Sequence, residues 1–276
     1  MPQTQATNDA PIGIFDSGVG GLSVLRHVQQ QLPHEDLIYF ADSGYAPYGD
    51  KTEQAIITRA LAIADFLIQQ GCKALVVACN TATAAAIHLL RERYPDMPIV
   101  GVEPGLKPAA AASKTRVIGV LATDRTIASE KFQALHDQLI ASTGVQFLTQ
   151  ACTGLADQIE KGELTSPATQ ALIQQYLSPL ADNKADTLVL GCTHYPFVQG
   201  LIKQAAQAAG MSLVTVIDTG EPVARQLARL LQQNGIANKA RANGHLLAYT
   251  TGDPAALRAA FEKLLTLHPP IEKIAV

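Results

Sequence analysis

Short unbroken apolar runs alternate along this chain with longer stretches in which apolar residues recur every three or four positions. An unbroken run bounded by turn formers is the pattern of a parallel strand buried on both faces, and the longer period is that of an amphipathic helix. Ile12 to Phe15 reads as the first strand, running into Asp16-Ser-Gly-Val-Gly-Gly21 and a helix from Leu22. Leu37 to Ala41 is the second strand. Thr52 to Gln70 carries apolar residues at positions 56, 57, 60, 61, 64, 67 and 68, a core-facing stripe, and Gly71 stops the helix. Residues 74 to 86 then run a buried strand straight into a helix that reaches about Tyr94, with Cys79 at the join, and Ile99 to Val102 is a further strand.

Glu103-Pro-Gly-Leu-Lys-Pro108 breaks the pattern, and a second series opens with Arg116 to Thr123, a strand that leads through a polar turn into a long helix. Val145 to Thr149 is the next strand, and helices cover Gly154 to Lys161 and Pro167 to Ala181. Thr187-Leu-Val-Leu-Gly-Cys-Thr-His-Tyr-Pro196 then repeats the strand-to-cysteine join, with Cys192 in the place of Cys79. The halves match element for element, as an internal duplication does. A strand from Leu213 to Ile217, a helix from Asp218 to about Asn234, a strand from Leu246 to Thr250 and a helix from Pro254 to Leu267 complete the series. The expected fold is α/β: two pseudo-symmetric domains with mainly parallel sheets flanked by helices. Residues 11–104 plus 218–276 make a discontinuous first domain, 105–217 the second, and 1–10 a mobile tail. Paired crossings near Pro104 and Asp218 make a hinge, and the interdomain cleft is the expected active site.

Composition narrows the classes. With 47% hydrophobic and 16% charged residues the chain has the make-up of a well-buried enzyme rather than a disordered segment. A net charge of −3 without a basic run gives no footprint for general nucleic-acid binding, so no nucleic acid is required. The four cysteines (Cys72, Cys79, Cys152, Cys192) form no C-x-x-C pair, which argues against a zinc ribbon or a disulfide scaffold, and no metal is expected. The N-terminal stretch is polar, and no apolar run reaches the ~20 residues of a membrane span. A cytoplasmic protein without a membrane partner is the expectation.

A residue that ends a parallel strand faces the crevice where α/β proteins hold ligands, and a helix N-terminus beside it favours thiolate over thiol. One such cysteine is well explained as a small buried hydrophobe. A matched pair points to chemistry: two thiols on opposite faces of a small ligand can remove a proton from one side of a carbon and return one to the other, giving the mirror image. A thiol with a reference pKa near ~8.5 is readily brought toward operating pH, so one cysteine serves as thiolate and the other as thiol. His194 lies two residues from Cys192, and Asp16 sits at a strand end suited to Cys79. Ser17, Asn80, Thr81, Thr83, Thr123 and Thr193 supply polar groups at the turns, and the loop Gly44 to Asp50 brings Tyr48 and Gly49. A nucleotide-binding module is the alternative from another class. It uses the first glycine turn, where Ser23 replaces the third glycine of the dinucleotide fingerprint, with Asp42 as the ribose acid. A pyridoxal phosphate enzyme needs a Schiff-base lysine, and only Lys51 and Lys107 lie near the turns. Cys72 and Cys152 read as core residues.

Asp16-Ser-Gly-Val-Gly-Gly21, Tyr45-Ala-Pro-Tyr-Gly49, Ala78-Cys-Asn-Thr-Ala82 and Gly191-Cys-Thr-His-Tyr-Pro196 together resemble the bacterial glutamate racemases, with matches spaced across nearly the whole chain. The resemblance implies cofactor-independent interconversion of L- and D-glutamate, supplying D-glutamate for peptidoglycan. It implies that Cys79 takes the proton from D-glutamate and Cys192 from L-glutamate. Asp16, Ser17, Tyr48, Gly49, Asn80, Thr81, Thr193 and His194 would line the pocket, with Asp16 and His194 also tuning the thiols. Aspartate or a related small acid is the alternative substrate, which spacing does not separate from glutamate. Dimers are common among the proteins it resembles, so a homodimer is the assembly to test, although no interface patch is readable.

Overall fold

The computed structural model describes residues 8–211, 214–239 and 242–276. Most of the expected N-terminal tail (1–7) and Leu213, read above as the start of a strand, lie outside the described residues. The chain forms two compact units, one running to Val102 and resuming at Gly220–Val276, the other Glu103–Thr219. The first contains β1 (Ile12–Asp16), α1 (Leu22–Gln31), β2 (Leu37–Ala41), α2 (Glu53–Gln69), β3 (Ala74–Val77), α3 (Asn80–Arg93) and β4 (Ile99–Gly101). The second contains α4 (Leu106–Ala112), β5 (Val117–Ala122), α5 (Asp124–Ala128), α6 (Glu130–Thr143), β6 (Gln146–Ala151), α7 (Leu155–Glu160), α8 (Pro167–Asp182), β7 (Thr187–Gly191), α9 (Gln199–Ala208) and β8 (Thr215–Ile217). The first unit then takes back α10 (Gly220–Gln233), β9 (Leu246–Thr250), α11 (Pro254–Leu265) and β10 (Ile271–Lys273).

Each unit is built on one parallel sheet, ordered β10-β9-β2-β1-β3-β4 in the first and β6-β5-β7-β8 in the second. In both, the chain winds outward from a central strand in one direction and then crosses to its other side. The switch point therefore falls between β1 and β3 in one unit and between β5 and β7 in the other. Doubly wound sheets hold ligands beyond the carboxyl ends of the strands at that point. Every residue of β1, β3 and β7 is buried, as expected of strands covered on both faces.

Helix ends follow local chemistry. Thr52 caps α2 by accepting from Ala55 N, Gly71 takes a left-handed φ of +83° just past its end, and Ser166 and Asp253 cap helices that begin with proline. On α2 the fully buried line is Ile56, Ala60, Ile63, Ala64 and Leu67, while Ile57, Leu61 and Ile68 flank it half-buried. Each large side chain so buried contributes about 1.5–3 kcal/mol.

Three departures from the sequence reading have physical causes. Residues 106–112 form α4 where a break was expected, because Pro108 lies in the first turn, where a missing N–H breaks no helical bond. The long helix after Thr123 is two helices, α5 and α6, since Ser129 takes an extended ψ of 139° and its side chain accepts from Phe132 N to start the second. β10 was not anticipated. It is a three-residue edge strand with two exposed positions, too short to show a period. Among the described residues no helix is long and apolar enough to cross a membrane.

Candidate active site

At the first switch point, β1 ends on Asp16 and β3 runs through Ala78 to Cys79. Asp16 is buried, and its Oδ2 accepts from Gly21 N at 2.7 Å. A Cβ on Gly21 would stand 2.7 Å from the Asp16 Cβ and 2.9 Å from the Tyr39 hydroxyl, so only glycine lets this turn close on its own acid. Cys79 is the N-cap of α3: its Sγ accepts from Ala82 N at 3.4 Å and lies 3.9 Å from Ser17 Oγ. Backbone donation and the positive end of a 14-residue helix both favour the thiolate there. Asn80 follows in the first turn. It is 5% exposed, and neither its amide nitrogen nor its oxygen has a hydrogen-bond partner among the described residues. A buried amide left without a partner costs about 1–3 kcal/mol. Thr81 is buried beside it.

Tyr48 and Gly49 lie in a short 3-10 turn, Tyr48–Asp50, and Tyr48 shares a core cluster with Cys79. The Tyr48 hydroxyl donates to Asp42 Oδ2 at 2.6 Å, and burial together with that carboxylate pushes its pKa up, so the phenol stays protonated. Asp42 also accepts from Arg59 Nε at 2.9 Å, Arg59 Nη2 at 2.8 Å and Thr251 Oγ1 at 2.8 Å. This removes the support for the nucleotide reading. Its proposed ribose acid is 0% exposed and fully engaged, and the glycine turn donates to Asp16 instead of a phosphate.

At the second switch point, β7 leads into Cys192 and β5 into Thr123. Cys192 Sγ lies 3.6 Å from His194 Nδ1, and His194 Nε2 lies 2.7 Å from Glu160 Oε2 at the end of α7. Burial opposes a charge on His194, but the hydrogen bonds and negative charges of Cys192 and Glu160 outweigh it and hold the imidazolium well above its ordinary pKa. The expectation of a helix N-terminus at both cysteines is met at Cys79 only. After Cys192 comes a 3-10 turn, Tyr195–Val198, with α9 starting at Gln199, so here a side-chain cation stands where the other site has a helix end. Glu160 was missed because nothing local marks it: its partner is 34 residues away.

Thr193 is buried next to Cys192, and Thr123 caps α5 by accepting from Thr126 N at 3.2 Å. Thr83 needs correction as a substrate-binding candidate. Its hydroxyl donates to Val77 O at 3.1 Å and accepts from Val102 N at 3.0 Å, tying α3 to β3 and to the strand end at Val102. Cys72 and Cys152 are buried thiols whose pKa burial raises, Cys72 to about 12.

Residues 12–227 match the family described as Asp/Glu/hydantoin racemase. A glutamate racemase of Pseudomonas syringae pv. tomato is 53% identical over 239 residues, 86% of this chain and 85% of that protein. Glutamate racemase isoform RacE1 from Bacillus anthracis superposes with a TM-score of 0.87 at 33% identity, over 98% of each chain. The Escherichia coli glutamate racemase, solved with L-glutamate and the activator UDP-MurNAc-ala, superposes at 0.83 and 30% identity over 97% of this chain and 99% of that one. Fold and strand-end thiols define the class, an α/β enzyme with a doubly wound parallel sheet in each unit. The chain belongs to the Asp/Glu/hydantoin racemase family.

Proposed function

We propose that the chain interconverts L- and D-glutamate, with Cys79 and Cys192 as the two acid–base groups and no step assigned to a cofactor. The observation that carries this reading is the matched pair of buried thiols just past β3 and β7, in a chain 53% identical to a glutamate racemase over most of its length. Cys79 takes the α-proton from D-glutamate and Cys192 takes it from L-glutamate. In each direction one C–H bond breaks as an S–H bond forms, and the opposite thiol loses its proton to the other face of the same carbon. The resting protonation of the pair is therefore reversed after each turnover. The α-proton is very weakly acidic, so the developing charge needs fixed donors around the substrate carboxylate. The unsatisfied amide of Asn80 supports a substrate role on the Cys79 side, together with Ser17, Thr81, Tyr48 and Gly49. On the other side His194, held charged by Glu160, supports the Cys192 thiolate, with Thr193 beside it. Thr123, at the end of β5, is kept as a substrate contact in this reading.

The product D-glutamate serves peptidoglycan synthesis, and a mechanism that needs both cysteines as thiols suits a reducing cytoplasm. A homodimer is the proposed assembly, to be checked by sedimentation equilibrium. The decisive experiment follows ellipticity of D- and L-glutamate, and separately D- and L-aspartate, with purified protein and no added cofactor. Glutamate turnover lost in both Cys79→Ser and Cys192→Ser is the expected result. Aspartate turnover instead would change the substrate, and full activity in either serine variant would refute the two-thiol mechanism.

A further inference from the structure

Arg59, on α2, lies outside every motif noted above, yet all three nitrogens of its guanidinium are engaged. Nε and Nη2 donate to the two oxygens of Asp42, and Nη1 donates to the carbonyl of Val276 at 2.5 Å. The face of the group lies 3.8 Å from the centroid of the Tyr45 ring. Asp42 accepts in addition from the hydroxyls of Tyr48 and Thr251, and Thr251 Oγ1 accepts from Gly44 N at 3.0 Å. The loop from Gly44 to Asp50 is thus fastened at three places: Gly44 through Thr251, Tyr45 by the stacked cation, and Tyr48 through Asp42. All three converge on the Arg59–Asp42 pair, whose side chains are 12% and 0% exposed.

A bidentate guanidinium–carboxylate pair fixes direction as well as distance, and its planar face can stack on an aromatic ring at the same time. Lysine reproduces neither the fork nor the stacking. Within the loop Tyr45 is 47% exposed, whereas Tyr48 is buried in the core cluster that holds Cys79. Each nitrogen of the cation is committed to Asp42 or Val276, and its charge is matched by the Asp42 carboxylate. Its influence on a substrate passes through the turn that carries Tyr48 and Gly49.

We infer that Arg59 is a positioning residue that holds the Tyr48–Gly49 turn in its binding geometry beside Cys79, with Thr251 as the second anchor of the same carboxylate. The inference rests on the racemase reading above and adds to it a determinant of substrate affinity remote from the thiols. Holding a loop in its bound form lowers the ordering cost that binding would otherwise carry.

The test compares wild type, Arg59→Lys and Thr251→Val by racemisation kinetics on both enantiomers of glutamate and by amide deuterium uptake. In Arg59→Lys, KM for each enantiomer should rise on the order of tenfold while kcat changes less than about threefold. Uptake across residues 44–51 should quicken, with α3 unchanged. Thr251→Val should move KM and uptake the same way by a smaller factor, because it removes one of the four bonds to Asp42. That milder variant decides the matter if Arg59→Lys does not fold. Unchanged KM in an active variant, or a fall in kcat at constant KM, would overturn the positioning role and leave the racemase reading standing. A wild-type protein without glutamate turnover would sink both together.

Discussion

Replacing Glu160 by glutamine tests the electrostatics of the second thiol with little change of shape. Glu160 Oε2 lies 2.7 Å from His194 Nε2, the side chains being 26% and 8% exposed, and a glutamine oxygen can accept the same hydrogen bond. What disappears is the negative charge. A hydrogen bond between charged groups is worth about 1.5–3 kcal/mol against roughly 1 for a neutral one, a difference of about 0.5–2 kcal/mol. A loss of about 1.4 kcal/mol lowers the His194 pKa by roughly one unit. The sign follows from the charge type: His194 is held above its ordinary value, and removing an anionic partner favours the neutral ring. The alkaline limb of kcat/KM should move down by about one pH unit, with a roughly tenfold loss on that limb. Because the two enantiomers have equal free energy, kcat/KM must fall by the same factor in both directions, which gives the assay an internal control. Imidazole resonances, assigned to His194 by their absence in His194→Asn, report the titration directly. A His194 titration that stays in place or moves upward in Glu160→Gln would refute the reasoning.

Other consequences concern stability and reactivity. Lys73 Nζ lies 2.6 Å from Glu35 Oε2 with side chains 0% and 3% exposed, so Lys73→Met strands a buried carboxylate and should cost about 3–5 kcal/mol in urea unfolding. Adding Glu35→Gln should recover much of that, and a double variant no more stable than Lys73→Met would contradict the pairing. Burial raises the Asp186 pKa, but bonds from Ser113, the amides of Thr115 and Lys114, and Thr187 outweigh it and hold the carboxylate below its ordinary value. A lowered acid pKa stabilises above the unfolded value, near ~3.9, and the contribution is lost as pH falls through the folded value. Asp186→Asn should therefore lower Tm at pH 7 and make little difference at pH 2–3; an equal loss at both would refute the assignment. Cys72, with its pKa pushed up to about 12 by burial, should resist iodoacetamide at pH 8 in the folded protein and react once urea exposes it. Mass spectrometry of the labelled peptide decides.

The parts of the molecule that were legible in the sequence are those whose signal is local. A buried strand ending on Cys79 or Cys192 is written in neighbouring residues, and so are the cap at Thr52 and the stop at Gly71. The groups that hold these residues are not local. Asp42 stands where a ribose acid would by distance along the chain, but its Thr251 partner is 209 residues away and returns only with β9, so its saturation could not be read from spacing. Thr83 shows the converse: it sits in the same turn as Asn80 and Thr81, yet one more step around α3 points its hydroxyl at the main chain of β3 and Val102. Asn80, with the same local credentials, keeps both polar atoms unpaired. Residue type and position therefore nominate both, and only the hydrogen-bond account separates them. The Thr83 hydroxyl is satisfied by the main chain, while the Asn80 amide has no partner among the described residues and keeps its hydrogen-bonding capacity for a ligand or water.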